Sequence, residues 1–245
     1  SGTRRTGDCN YGSTATTAAS LASVDSYEPH TSEGIDATAH NEFLCESSAT
    51  YDTAAPGVSN DLVISKTAMI HAIGLTVDDY AQMAANSTGL IWSPRSNITL
   101  YGDTARVTEA ARLGVRIALG TDWMPSGSMN MLRELRCADS FNTTYLGKYF
   151  TDEKLWEMVT STAASISATD DSIGTLAQGK VADISIFAAH GKDPYRAVIE
   201  ADPQDVALVM RGGKVLYGDA AAVGGLAQGC DTLDVCGTSK QVCLM

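Results

Sequence analysis

Short apolar runs alternate along this chain with stretches whose apolar residues recur at helical spacing. From residue 24 onward the alternation is regular. Val24–Pro29 reads as a polar strand, and Gly34–Glu46 as a helix with Ile35, Ala39 and Phe43 on one side. Ser47–Asn60, holding Pro56 and Gly57, reads as a loop, and Leu62–Ile64 as a short apolar turn or strand. Lys66–His71 is an apolar strand, and Thr76–Ser87 a helix with Thr76 at its N-cap and Asp78 and Asp79 in the first turn. Gly89–Trp92 is the next strand, and Ser93–Pro94 begins a turn. Ala105–Leu113 is a helix closed by Gly114, followed by the strand Val115–Leu119, which Gly120 ends. Two more helices are predicted over Ser128–Asn142 and Asp152–Ala168. Residues 205–217 then read as two strands around Gly212–Gly213, a hairpin signal.

This order predicts an α/β fold: a parallel sheet with covering helices over residues 24–172. A small β module over 173–220 lies beside it. Residues 1–23, rich in Ser, Thr, Ala and Gly, read as an extended, weakly packed lead-in, and residues 221–245 as a cysteine-containing tail.

Composition narrows the class. Apolar residues make up 44 % of the 245 and charged residues 19 %, enough to bury a core and unlike a disordered chain. The net charge is −12 and no cluster of Lys or Arg offsets it, which argues against a nucleic-acid or anionic-membrane partner. No apolar run approaches the roughly 18 residues of a membrane span. The two arginines near the start are followed by no apolar stretch, so no signal peptide is expected here, and the absence of an initial Met suggests a processed product.

Three of the six cysteines, Cys230, Cys236 and Cys243, crowd the tail at C-x5-C-x6-C, which is not a zinc-finger spacing. A Gly/Asp/Ser/Thr-rich tail without a core is expected to be pinned by a disulfide. That implies an oxidising compartment and an exported protein, periplasmic or extracellular. Cys45 and Cys137 read equally well as small core residues.

The candidate chemistry sits where the strands end. Successive strands end at His30, His71, Ser93 and Asp122. In a parallel sheet, functional groups gather at that edge. Each residue alone has a plainer reading: a strand-end His as a hydrogen-bond partner, Asp122 as a helix cap, Ser93–Asn97 as a turn. Together, two imidazoles and a carboxylate on one edge form a metal-type donor set suited to Zn, Fe or Mn. Glu33, three residues after His30, reaches the same mouth.

The segments PHTSEGIDATAHNEF, MIHAIGL, GLIWSPRSNITLYGDTA and VRIALGTDW, in that order, resemble the later motifs of the amidohydrolase superfamily, in its cytosine deaminase, triazine hydrolase and chlorohydrolase-like branch. IGTLAQGKVADISIF and VMRGGKVLYG resemble that branch's contribution to a small β-sandwich. The resemblance covers residues 24–218 and implies the C-terminal half, about strands 5–8, of a distorted (β/α)8 barrel. It implies His30 as a metal ligand, Glu33 as the acid/base toward the leaving group, and Asp122 as a metal ligand that also takes a proton from the hydrolytic water. His71 is implied to orient water or substrate, or to bind a second metal in a binuclear site. One ion, zinc by preference, is expected. Trp123, Met124, Ser93 and Asn97 are placed at the substrate pocket.

The departure is as informative. That family ends its first strand in H-x-H, and none of the four histidines here (His30, His40, His71 and His190) forms that pair. Strands 1–4 of a barrel are also missing. A second chain, or a cleaved N-terminal half, is expected to supply both, with Cys9 tied to that piece; a homo-oligomer is also open. The implied activity is hydrolysis of a C–N bond other than a peptide bond in a small molecule. The alternatives are a catalytically inactive exported binding protein that retains the barrel, and a metallo-peptidase-like use of the site.

Overall fold

The computed structural model describes residues 4–12, 16–54 and 58–243. Pro56 and Gly57, placed in a loop above, lie outside them. Four parallel strands form the first sheet, in chain order: β1 (His30–Thr31), β2 (Ala68–His71), β3 (Gly89–Trp92) and β4 (Ile117–Leu119). The polar segment before His30 contributes only a single bridge, Tyr27 to Thr67, so the strand starts later than its β-prone residues suggest.

Helices alternate with these strands. α1 (Ala37–Glu46) starts at Asp36, whose side chain accepts from the Thr38 and Ala39 amides. α2 (Val77–Ala85) starts at a capping box in which Thr76 and Asp79 satisfy each other's amides. α3 (Pro94–Tyr101) occupies the stretch read as a turn: Pro94 stands at the first helical position and Gly102, at φ 69°, closes the helix. α4 (Val107–Leu113) and α5 (Met131–Thr144) follow. The helix expected over Asp152–Ala168 is broken into α6 (Asp152–Glu157) and α7 (Ser161–Ile166), and Thr151 caps the first piece.

Alternation along the strands divides the packing. Met69, Leu90, Trp92, Ile117 and Leu119 face Tyr80, Met83, Ala110, Leu135 and Ala138 in the main core. Each large side chain buried there contributes roughly 1.5–3 kcal/mol. On the other face, Ala68, Ile91 and Ala118 meet Ala163 and Ile166 of α7 in a smaller cluster. The Met158 carbonyl accepts from the Leu119 amide at 3.0 Å, so part of the β4 edge is covered. No helix among the described residues is long and apolar enough to cross a membrane.

The second sheet is antiparallel and five-stranded. β5 (Ile184–Phe187) is followed by α8 (Pro194–Ile199), then by β6 (Val206–Arg211) and β7 (Lys214–Asp219), which turn at Gly212–Gly213 as the hairpin signal predicts. After α9 (Ala220–Val223), the tail adds a second hairpin, β8 (Asp231–Val235) and β9 (Thr238–Val242), so the order is β5-β6-β7-β9-β8. A disulfide joins Cys230 to Cys243 and leaves Cys236 free at the hairpin tip.

Residues 4–12 lie against α1. Cys9 pairs with Cys45 within the chain, not with another piece. Asn41 accepts from the Gly7 amide at 2.7 Å and donates to the Asp8 carbonyl at 2.9 Å. Cys137, half-buried on α5, is a free thiol.

Candidate metal centre

Three of the four parallel strands end in backbone that side chains rarely adopt. Ser32 (φ 53°), His71 (φ 72°) and Asp122 (φ 55°) all have left-handed conformations just at or after β1, β2 and β4. Such conformations cost about 1–3 kcal/mol each and persist where surrounding structure enforces them. Two of the three, His71 and Asp122, belong to the groups that converge above the sheet edge.

His30, His71 and Asp122 converge there. One ligand atom from each lies within 4.8 Å of the others. The imidazoles of His30 and His71 are tilted at 50° with ring centres 5.1 Å apart. His71 is fully buried, whereas His30 is exposed. Glu33 stands beside them, with Oε1 at 3.7 Å from His71 Nε2; Asp122 Oδ2 is 4.0 Å from the same nitrogen. His71 Nε2 is buried without a hydrogen-bond partner. An orphaned imidazole nitrogen between two carboxylates suits a divalent cation, and this N,N,O donor set fits zinc chemistry.

Neighbouring hydroxyls hold the carboxylates. Ser96 Oγ donates to Asp122 Oδ2 and shares a 2.9 Å bond with Ser126 Oγ. Tyr101 donates to Glu33 Oε1 at 3.0 Å. Burial works to raise the Asp122 carboxyl. Hydrogen bonds from Ser96 and the Trp123 amide, with the two imidazoles, outweigh it, so Asp122 titrates below its usual range. Burial, reinforced by Glu33 and Asp122, pushes the Tyr101 phenol up to about 12, which keeps it a donor.

The strand end that carries His30 is held from behind by α1. Thr31 Oγ1 donates to Glu46 Oε2 at 2.7 Å, and the Ser32 amide to Glu42 Oε2 at 2.8 Å. Burial, opposed by the Thr31 hydrogen bond and aided by Glu42, pushes Glu46 up to about 7. The folded protein therefore binds this proton more tightly than the unfolded chain. Its contribution is complete below the ordinary carboxylate range and is lost as pH rises through about 7. Glu46→Gln is expected to remove that loss. The thermal midpoint of wild type should fall relative to the variant between pH about 5 and about 8. A constant difference across the series would refute the assignment.

The other predicted residues are placed as follows. Ser93 is buried, with Oγ unpartnered, and lines a cleft of about 1200 Å³ together with His30 and Asp122. The cleft runs over the inner sheet face at Ile70, Ile91 and Ala118 toward Phe187 and Val209 of the second sheet. Trp123 and Met124 are 67 % and 70 % exposed and do not line it. Asn97 was expected at the substrate pocket. It is instead fully buried, with Oδ1 2.8 Å from His71 Nδ1, because α3 replaces the expected turn and turns it into the core. His40 is paired with Asp79 at 2.9 Å and His190 with Asp205 at 3.0 Å, away from the site.

Ser96, Tyr101 and Ser126 were missed. Ser96 could have been found from the Pro94-to-Gly102 helix signature, which sets it one residue before Asn97. Nothing local marks Tyr101 or Ser126, whose contacts span 68 and 30 residues of sequence.

Known proteins resemble this chain in sequence and in fold. A 5-methylthioadenosine/S-adenosylhomocysteine deaminase of Desulforudis audaxviator (strain MP104C) is 29 % identical over 170 residues, 62 % of this chain and 40 % of the relative. One from Desulfitobacterium hafniense (strain DSM 10664 / DCB-2) is 33 % identical over 160 residues, 60 % of this chain and 36 % of the relative. Among solved structures, an adenosine deaminase from Xanthomonas campestris with bound zinc aligns over 82 % of this chain and 48 % of its own, at a TM-score of 0.63 and 20 % identity. Atrazine chlorohydrolase TrzN from Arthrobacter aurescens TC1, complexed with zinc, aligns over 63 % and 37 %, at 0.55 and 21 %. At such identities the structural likeness establishes the fold. The chain spans 40 % or less of the length of the first curated relatives it matches. The profile of the amidohydrolase family matches residues 18–216, most of the chain, and the chain belongs to that family.

Proposed function

We propose that this chain is the C-terminal half of a (β/α)8 hydrolase that breaks a C–N bond in a small molecule, with deamination of a heterocycle as the leading form. The convergence of His30, His71 and Asp122 within 4.8 Å carries the reading. The relatives named as deaminases support the reaction class.

His30 and Asp122 would hold one zinc ion, with iron or manganese as alternatives, and the convergence of His71 on the same point adds it to the donor set rather than leaving it only to orient water. Bound there, the ion supplies Lewis acidity that makes water a nucleophile near neutral pH. Asp122, kept ionised by Ser96, accepts the proton of the attacking water. Glu33 receives the Tyr101 hydrogen bond on Oε1, which leaves Oε2 to deliver a proton to the departing nitrogen. The C–O bond forms, the C–N bond breaks, both protons of the water pass by way of Asp122 and Glu33 to the departing nitrogen, and ammonia or an amine leaves with both carboxylates restored. Trp123 and Met124 offer an exposed apolar surface beside Asp122 on which a planar ring could rest.

An N-terminal segment, in the same precursor or a second chain, would supply strands 1–4 and the H-x-H ligands. The exposure of His30 and the open cleft along the inner sheet face support this. Export to an oxidising compartment is supported by two disulfides, Cys9–Cys45 and Cys230–Cys243.

The test is ammonia release from adenosine-type nucleosides by the full-length protein, before and after chelation. We expect one zinc per chain, loss of turnover on chelation and recovery on adding zinc. Turnover that survives complete metal removal would exclude this reading.

A further inference from the structure

A single short helix, α3, reaches three of the four polar groups of the site. Ser96 meets Asp122, Tyr101 meets Glu33, and between them Asn97 meets His71. The last contact has a consequence for the imidazole. A neutral histidine carries one ring proton, and the nitrogen without it has a free lone pair. His71 Nδ1 lies 2.8 Å from Asn97 Oδ1, a full hydrogen bond. His71 Nε2 lies 3.7 and 4.0 Å from the nearest carboxylate oxygens and bonds to neither. With the Asn97 amide oxygen facing the ring, a proton on Nδ1 has an acceptor and a proton on Nε2 has none within hydrogen-bond distance.

Asn97 is itself held in place. Its Nδ2 donates to Thr104 Oγ1 at 3.1 Å, and the same oxygen accepts from Trp92 Nε1 at 2.7 Å. An indole nitrogen only donates, so Trp92 fixes one side of the Thr104 hydroxyl. His71, Asn97 and Trp92 are fully buried and Thr104 nearly so, which keeps the network out of bulk solvent.

We propose that Asn97 is a positioning residue that fixes His71 as the Nδ1–H tautomer, so that the bare Nε2 faces the cation site before any ion arrives. The zinc part of this inference rests on the function proposed above; the tautomer does not. An outer partner of this kind, which orients a ligand imidazole and sets its tautomer, is worth about 10- to 100-fold in metal affinity when removed.

The experiment is side-chain nitrogen NMR of His71 in the metal-free chain at mildly alkaline pH, where imidazole is neutral, paired with zinc affinity measured by chelator competition. Wild type should show a protonated Nδ1 and an unprotonated Nε2. Asn97→Leu should shift the proton toward Nε2 and weaken zinc binding by about 10- to 100-fold. Asn97→Asp, which keeps an acceptor for Nδ1–H, should restore the tautomer. A proton found on Nε2 in wild type overturns the proposal, and this reading stands even where Asn97→Leu does not fold. A folded Asn97→Leu variant with unchanged tautomer and affinity also overturns it. The expected tautomer in a protein that takes up no zinc would instead reject the proposed function and leave the role of Asn97 intact.

Discussion

Asp122→Asn in the full-length protein is expected to lose zinc and to lower turnover by at least about 10²- to 10⁴-fold, the range of a missing acid/base group alone. Three features concentrate the effect on this residue. It contributes one of three converging ligand atoms, it is the anionic one, and its carboxylate is the acceptor proposed for the water proton. The hydrogen bonds that hold its pKa down show that the surroundings are built for the charged form. Asparagine has the same shape and retains an oxygen for Ser96, so thermal unfolding should move by no more than about 1 kcal/mol. Metal analysis, turnover and a melting curve on the same preparation decide the matter. Unchanged turnover would remove Asp122 from the mechanism. A collapsed melting curve would make it a structural residue.

Gly127→Ala should cost about 10²-fold in turnover from a residue that holds no ligand atom. The loop after Asp122 folds back on itself: the Ser128 amide donates to the Thr121 carbonyl at 3.0 Å, and the Gly127 amide to the Trp123 carbonyl. A Cβ on Gly127 would run into the Thr121 carbonyl oxygen, and backbone cannot yield that much without rebuilding the turn. Thr121 immediately precedes Asp122, which has a φ of 55° inside this closed loop. Rebuilding it also moves Ser126, the partner of Ser96. A displacement of about 1 Å at a catalytic group is sufficient for such a loss. Overpacking adds roughly 1–3 kcal/mol of destabilisation. Wild-type turnover and zinc content in Gly127→Ala would mean the loop relaxes without moving Asp122.

Much of this architecture is legible without coordinates. The strands at Gly89–Trp92 and at Ala68–His71, the latter read from sequence as Lys66–His71, the Thr76 cap, and the Gly212–Gly213 hairpin all rest on local rules that act within a few residues. The strand-end histidines and Asp122 are marked by their place in the alternation, and their convergence follows from parallel strands sharing one edge. The α3 helix was legible too, from a proline at its start and a glycine at its end, but the turn-forming look of Ser-Pro-Arg-Ser-Asn masked it. The break at Met158–Thr160 was not, because the Leu119 amide, 39 positions earlier, claims the Met158 carbonyl for the β4 edge.

The sequence by itself determined which groups could do chemistry here, because residue type and strand register are local properties: two imidazoles, two carboxylates, one edge. Tertiary structure alone decided how those groups are held. Tyr101 reaches Glu33 across 68 residues and Asn97 reaches His71 across 26, and no periodicity encodes such distances. It also decided that Asn97 serves the protein interior rather than the pocket, since the face of α3 that is buried depends on what packs around it. Local preference selects the elements, while long-range packing sets the angles at which they meet, and the chemistry of this site depends on those angles.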